Sequence, residues 1–199
     1  LNATQLGALT STQIKGLTAG QMAGLTTNNI SALADTQVAA LSSTQLGALN
    51  ATNFSALDGT QVAALTETQI KGVTTTQLKA LTTTDVAELS STQVSALSAV
   101  QIGALTATNF SALNATQVGA LNATQIKGIT ADQIKGLSTT DVAELANTQI
   151  GALSADQIKN LSATNLSALD ATQTAALTVT QMKGLTNTQL GGLTTTDIS

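Results

Sequence analysis

The chain has 199 residues and a net charge of −4, with 9% charged side chains and no Cys, His, Arg, Pro, Trp or Tyr. Because Cys and His are missing, we expect no metal site, no thiol nucleophile and no imidazole base, hence no cofactor and no enzymatic activity. The acidic balance without arginine argues against a nucleic-acid partner. Since no apolar run reaches about 18 residues, we also predict no membrane-spanning segment.

One octapeptide, repeated about 25 times, makes up the whole chain. Leucine opens the octads from Leu1 to Leu193, with Val73 and Ile129 as the only replacements. A unit this short cannot bury an apolar face by itself, so its copies must stack into a solenoid. We therefore predict a single solenoid over residues 1–199. Since neither end carries an atypical capping unit, we expect it to be a fragment of a longer array.

The order of polar and apolar residues within each octad favours a short helix. We label the positions a to h, with Leu1 at a and Ala8 at h. Position e is Gln, Asn or Asp throughout, and position b is Ser, Thr, Asn or Asp except at Ala34 and Ala146, where the polar residue has moved one position along. This three-residue spacing is that of a capping box, which would start a helix at c. Apolar f and the next a then share one face, so each octad predicts a cap, about two helical turns and a tight corner.

A β-solenoid is the alternative that stays open. Thr, Ile and Val favour strands, and a strand coil would stack at about 4.8 Å per turn. However, the steps from a to f and from f to the next a are five and three positions, so these apolar positions would face opposite sides of a strand. The pattern therefore favours an all-α solenoid with one capped helix per octad.

Seven octads depart from Gln at position e, and they define a second period. They carry Asn29, Asn53, Asp85, Asn109, Asp141, Asn165 and Asp197. The gaps alternate between three and four octads, which gives a 56-residue superrepeat at 13–68, 69–124 and 125–180. Duplication of a seven-octad block explains this period without any geometry. Alternatively, a coil of about 3.5 octads per turn places all seven side chains on one polar face, in a rod of about 60–70 Å.

Three surface features are candidate binding sites, each with a structural alternative. The Asn/Asp face would hold calcium or a sugar, but its aspartates lie a full superrepeat apart and calcium needs several oxygens at one point, so variant capping residues are the alternative. The regular threonine at d would order water, as in ice-binding repeat proteins, or is simply tolerated at the second helical position. The lysines all occupy g, where we expect a solvated face; they are Lys15, Lys71, Lys79, Lys127, Lys135, Lys159 and Lys183.

The units LTETQIKG at 65–72 and LTTTDVAE at 81–88 resemble the octapeptide arrays of very large bacterial secreted or surface proteins. Such proteins are of the haemagglutinin-like, haem-utilisation-or-adhesion and repeats-in-toxin adhesin types. The resemblance covers the entire chain. It implies an extender or stalk region of an adhesin, outside the cell or on the bacterial surface, and brings no binding residues with it. The chain lacks the Gly-Gly-x-Gly-x-Asp pattern of toxin repeats, so the resemblance does not imply calcium dependence.

Two classes of function are consistent with these features. The first is a non-catalytic structural rod, a spacer or stalk that acts through its length and stiffness. The second is a binding module that presents the threonine or Asn/Asp line to ice, a glycan or another polymer. The sequence leaves open self-association of the array and its continuation with adjacent repeats of a longer chain.

Overall fold

A computed structural model of the chain describes residues 1–192. Within these residues the chain forms 24 short helices and no strand. The prediction of an all-α solenoid with one helix per octad is therefore confirmed, and the β-solenoid alternative is wrong.

The helices follow one another at intervals of one octad. The first twelve are α1 Ala3–Gly7, α2 Ser11–Lys15, α3 Ala19–Ala23, α4 Thr27–Ser31, α5 Asp35–Ala40, α6 Ser43–Gly47, α7 Ala51–Ser55, α8 Gly59–Ala63, α9 Glu67–Ile70, α10 Thr75–Ala80, α11 Thr83–Glu88 and α12 Ser91–Ala96. The other twelve are α13 Ala99–Ala104, α14 Ala107–Ser111, α15 Ala115–Gly119, α16 Ala123–Lys127, α17 Ala131–Lys135, α18 Thr139–Ala143, α19 Asn147–Ala152, α20 Ala155–Asn160, α21 Ala163–Ser167, α22 Ala171–Ala175, α23 Val179–Lys183 and α24 Asn187–Gly192.

Each helix begins at c, directly after an N-cap at b, as the spacing predicts. In α10, for example, the Thr74 hydroxyl accepts from the Gln77 backbone N–H at 3.2 Å, and Gln77 Oε1 accepts from the Thr74 backbone N–H at 2.8 Å. The helices are only 4 to 6 residues long, little more than one turn, so the expected two turns are wrong. The reason is that b must be extended to act as a cap, and the leucine at a is extended too, as Leu81 shows with φ −59° and ψ 147°.

The two octads with alanine at b keep their cap position. Ala34 and Ala146 remain the N-cap residues of α5 and α19, and only the glutamine half of the capping box forms there. Asp35 accepts from the N–H of the next residue at 2.6 Å and does not cap the helix. The cap position is therefore set by the octad register, and the displaced polar side chain does not move it.

The helices wind into a coil in which nearly every helix packs against the helix three octads further along, as α7 does against α10 and α10 against α13. Hydrogen bonds between neighbouring coils join residues 28 and 31 positions apart. A separation of 28 positions is three and a half octads, so the predicted coil of about 3.5 repeats per turn is confirmed. The 56-residue superrepeat therefore corresponds to two coils.

The side chains at f and a fill the centre of the coil. The f residues from Leu6 to Leu166 are all buried, including the two aromatic ones, Phe54 and Phe110. The a residues from Leu33 to Leu169 are buried with them and form one continuous apolar core. Because the core runs the length of the coil, each octad is stabilised by burial against its neighbours and not within itself.

Candidate functional site

Glutamine at e connects successive coils. Gln77 accepts from the N-cap of its own helix and donates its Nε2 to the carbonyls of Leu46 at 2.9 Å and Leu49 at 2.8 Å. Every glutamine at e from Gln37 to Gln189 makes the same pair of donations, to carbonyls 31 and 28 residues earlier. One side chain thus satisfies the start of one helix and the end of another.

These hydrogen bonds supply donors to the carbonyls that short helices leave unpaired at their ends. The last carbonyls of any helix lack a partner within it, and in helices this short most backbone groups are terminal. The glutamines that supply the missing donors expose at most 6% of their surface. Sequence reasoning identified only the Oε1 half of this contact, because the Nε2 half joins residues that are distant in the chain.

In three of the four asparagine octads within residues 1–192, the asparagine at e does not accept a hydrogen bond from the N-cap backbone N–H. The side chains of Asn53, Asn109 and Asn165 make no hydrogen bond to the N-cap N–H. Because asparagine is one methylene shorter than glutamine, these side chains do not reach both the N-cap and the previous coil, and they bond to the previous coil. Their Nδ2 still donates to the carbonyl of the leucine 28 residues earlier. Asn29 instead keeps the capping box, with its Oδ1 3.0 Å from the Thr26 backbone nitrogen.

Aspartate at e has no donor, so the hydrogen bond between coils runs in the opposite direction, from a serine hydroxyl of the preceding coil to the aspartate. Asp85 and Asp141 accept from the backbone N–H of their own N-cap residues. They also accept from the hydroxyls of Ser55 and Ser111, which lie 30 residues earlier. Each of these two serines directly follows a phenylalanine at f, so both shorter acidic side chains within residues 1–192 face an octad with a larger core residue.

These contacts bring the substituted octads together in one line along the solenoid, which we call the Asn/Asp column. Helices α4, α7, α11, α14, α18 and α21 follow one another in it. Asn53 joins α7 to α4, and the Ser55–Asp85 hydrogen bond joins α7 to α11. Asn109 and then the Ser111–Asp141 hydrogen bond continue the line. The alternating spacing of three and four octads therefore places the substituted octads next to one another in successive coils.

The column does not present its asparagines to solvent. Asn29, Asn53, Asn109 and Asn165 are buried, with at most 8% of their surface exposed. Asp85 and Asp141 are half-buried, and Asp197 lies outside the described residues. The asparagines therefore act within the fold, and the polar side chains that are partly accessible at this line are acidic residues and serines.

Two glutamates that the octad pattern does not predict also belong to the column. Glu88 and Glu144 occupy h in the aspartate octads, and one carboxylate oxygen of each is shielded from solvent without a hydrogen-bond partner. Burial raises the pKa of both carboxyls above the usual 4.5. The charges of Asp85 and Asp58 raise the pKa of Glu88 further, and that of Asp141 does the same to Glu144. No group of three or more acidic side chains in the described residues is placed to hold a metal ion.

The threonines at d and the lysines at g are exposed, as expected. Because a coil takes three and a half octads, successive threonines point in different directions around the rod and do not form one flat face. The helices of residues 1–192, at 4 to 6 residues, are far shorter than the roughly 20 residues that cross a bilayer.

A family model described as the ALTTAQ repeat matches residues 73–107. These residues span α10 to α13, including the Asp85 octad. No curated protein and no solved structure matches the chain. The family match supports a repeat array and does not identify the kind of protein that carries it.

Proposed function

We propose that this chain is a non-catalytic spacer rod in a large extracellular bacterial protein of the adhesin-like type. The uniformity of its coil-to-coil contacts supports the proposal. From Gln37 to Gln189, the same glutamine bridge recurs wherever glutamine occupies e, and the apolar core continues from coil to coil. A rod built in this way keeps a fixed length and direction, because each coil fixes the position of the next one.

The surface of the rod fits a passive role. Only 9% of the residues are charged and the exposed positions are mainly Thr, Ser, Asn, Ala and Gly. Such a surface stays hydrated while offering few large apolar or charged anchors of the kind that dominate protein interfaces. The extracellular location rests on the resemblance of the octads to adhesin arrays.

A binding module is the second candidate, and the structure favours it less. Ice or an extended polymer requires matching groups on one face, whereas the exposed threonines encircle the rod. A clear thermal hysteresis, or retention of this chain on a glycan array, would favour the binding module over the spacer.

Small-angle X-ray scattering of the purified chain tests the spacer role directly. We expect a rod with a constant cross-section and a length of about seven coils at about 8–10 Å each. A compact or flexible particle would contradict it. For the location, an antibody against the chain should label intact cells that produce the parent protein, and labelling only after permeabilisation would place the array inside.

A further inference from the structure

All seven lysines lie on one side of the rod. A coil takes 28 residues, so a residue's place within its coil gives its direction around the axis. If residue 1 takes the first of the 28 places in the first coil, the lysines fall between the fifteenth and the twenty-third place, which is a sector of less than a third of a turn. They are Lys15, Lys71, Lys79, Lys127, Lys135, Lys159 and Lys183, and all are exposed.

Contacts between coils align the lysine octads along the rod, either in adjacent coils or two coils apart. Gln101 of α13 donates to the carbonyls on either side of Lys71, and α13 packs against α16, which carries Lys127. Gln157 of α20 donates on either side of Lys127 in the same way. Helix α20 carries Lys159 and packs against α23, which carries Lys183. The lysines therefore form a line along the rod, which we call the lysine face.

Most carboxylates lie on the opposite side. Within residues 1–192, seven of them fall between the first and the seventh place in the coil, a sector of less than a quarter of a turn that is centred about half a turn from the lysines. They are Asp35, Asp58, Asp85, Glu88, Asp141, Glu144 and Asp170. We call this line the acidic face. Asp132 and Asp156 lie among the lysines and Glu67 lies between the two faces, so the lysine face keeps a net positive charge.

We propose that the lysine face of one rod docks against the acidic face of a second copy of this chain. Both faces derive from the same superrepeat and so share its two-coil period. Asp85 follows Lys71 by half a coil, and Asp141 follows Lys127 by the same interval. A second copy in the same orientation, shifted by half a coil or about 5 Å along the axis, therefore places its Asp85 level with Lys71 of the first copy and its Asp141 level with Lys127.

The opposite placement of the faces determines the kind of assembly. A symmetric dimer would bring two like-charged faces together, which repel each other. Docking of unlike faces is heterologous and leaves one face free on each outer rod, so it continues beyond the dimer into an open row. Exposed ion pairs are individually weak and are screened by salt, so the row depends on many weak contacts. This goes beyond the spacer role, which requires only a single rod.

Sedimentation equilibrium of the 19.9 kDa chain at two salt concentrations provides the test. In about 0.01 M salt, where the Debye length is about 30 Å, we expect an average mass of at least about twice the monomer that rises with protein concentration. In about 1 M salt, where that length is about 3 Å, we expect the monomer. A monomer at low salt, or assemblies that persist at high salt, would overturn the proposal.

Two matched variants identify the faces. One neutralises the lysine face, because the two lysines that remain there are balanced by Asp132 and Asp156; its substitutions are Lys15→Ala, Lys71→Ala, Lys79→Ala, Lys127→Ala and Lys183→Ala. The other neutralises the acidic face with residues that other octads already carry at the same positions; its substitutions are Asp35→Ala, Asp58→Asn, Asp85→Asn, Glu88→Ala, Asp141→Asn, Glu144→Ala and Asp170→Asn.

Each variant, shown by circular dichroism to be helical, should be monomeric alone at low salt. Their mixture should form a one-to-one complex and stop there, because each partner retains only one working face. Two folded variants that fail to form this complex would overturn the proposal, as would either variant assembling like the unsubstituted chain.

Discussion

A single glutamine side chain joins two coils of this solenoid. Its Oε1 completes the capping box of its own helix, and its Nε2 reaches two carbonyls of the previous coil. Both groups are buried, so losing the side chain leaves one backbone donor and two acceptors with weakened hydrogen bonding in a place that excludes water. The conservative replacements in this chain follow the same logic, since asparagine keeps the donation and aspartate receives a serine hydroxyl instead.

Gln77→Ala should lower the free energy of unfolding by about 2–3 kcal/mol, because buried backbone groups that lose a partner cost about 1–3 kcal/mol each and partly relax. Urea unfolding followed by circular dichroism at 222 nm measures the change. Thr76→Ala, next to it on the exposed side of the same helix, is the control and should change stability by no more than about 0.5 kcal/mol. Equal effects of the two substitutions would contradict the bridging role.

Glu88 should make stability depend on pH in the sense opposite to Asp170. Burial raises the pKa of Glu88 in the folded chain above 4.5. Its contribution to the free energy of unfolding is therefore fully present below pH 4.5, where the carboxyl is protonated, and is lost as the pH rises through the raised pKa. Glu88→Ala should therefore stabilise the chain, relative to the unsubstituted protein, more at pH 7 than at pH 4.

Asp170→Asn provides the opposite case. Hydrogen bonds from the Thr172 hydroxyl and the Gln173 backbone hold the pKa of Asp170 below 3.8. Its stabilising contribution is present above 3.8 and is lost as the pH falls through the lowered pKa. The asparagine variant should thus be less stable than the unsubstituted chain at pH 7 and approach it near pH 2. Urea titrations at each pH measure both effects, and parallel pH profiles would show that these carboxyls do not titrate as described.

At the scale of the helix, the ends matter more than the middle. A helix of 4 to 6 residues is too short to persist alone in water, and its partners at both ends come from capping boxes and from the next coil. Close packing between coils adds a second constraint at h. A Cβ placed on Gly128 would lie 2.5 Å from the Ala99 carbonyl oxygen, whereas one on Gly119 at g would meet nothing within 4 Å.

Gly128→Ala and Gly119→Ala form a matched pair that tests this packing. Neither glycine has a positive φ, so the backbone accepts alanine at both positions. Gly128→Ala should destabilise the chain by about 1–3 kcal/mol through overpacking. Gly119→Ala, in an open helical position, should stabilise it by about 0.5–1 kcal/mol. Thermal or urea unfolding gives both values, and a neutral Gly128→Ala would show that the coils do not approach this closely.

At the scale of the whole molecule, the solenoid is quasi-one-dimensional, because each octad contacts only octads within about one coil of it. A coil of three and a half octads comes back into register with the octad pattern only after two coils, which contain seven octads. A deletion therefore preserves the Asn/Asp column only if it removes one or more whole superrepeats.

Deletion of residues 69–124 should give a folded rod that is shorter by two coils, about 16–20 Å. The column stays in register, because residue 125 takes the place of residue 69. Deletion of 69–96, which removes a single coil and so half of that superrepeat, joins octads out of phase and should lower the helical content per residue. Scattering measures the lengths and circular dichroism the helicity; a shorter deletion that folds equally well would argue against a fixed octad register.

Sequence alone determined the features that depend on neighbours in the chain. The b-to-e spacing specified where each helix begins, because a capping box joins residues three positions apart, and the f and a ladder specified the core. The alternation of three and four octads, from Asn29 to Asn165, was consistent with about 3.5 octads per turn, although duplication of a seven-octad block explained the same period without any geometry.

Tertiary structure decided what the same side chains do across coils. The donation by glutamine Nε2, the burial of Asn53 and the pairing of Ser55 with Asp85 all join residues 28 to 31 positions apart. Which atoms meet over that distance depends on the helix length and on the angle of each corner, and the helices proved to be about one turn instead of two. The separation of the lysines from the acidic residues likewise emerges only when the chain is wound into coils of three and a half octads.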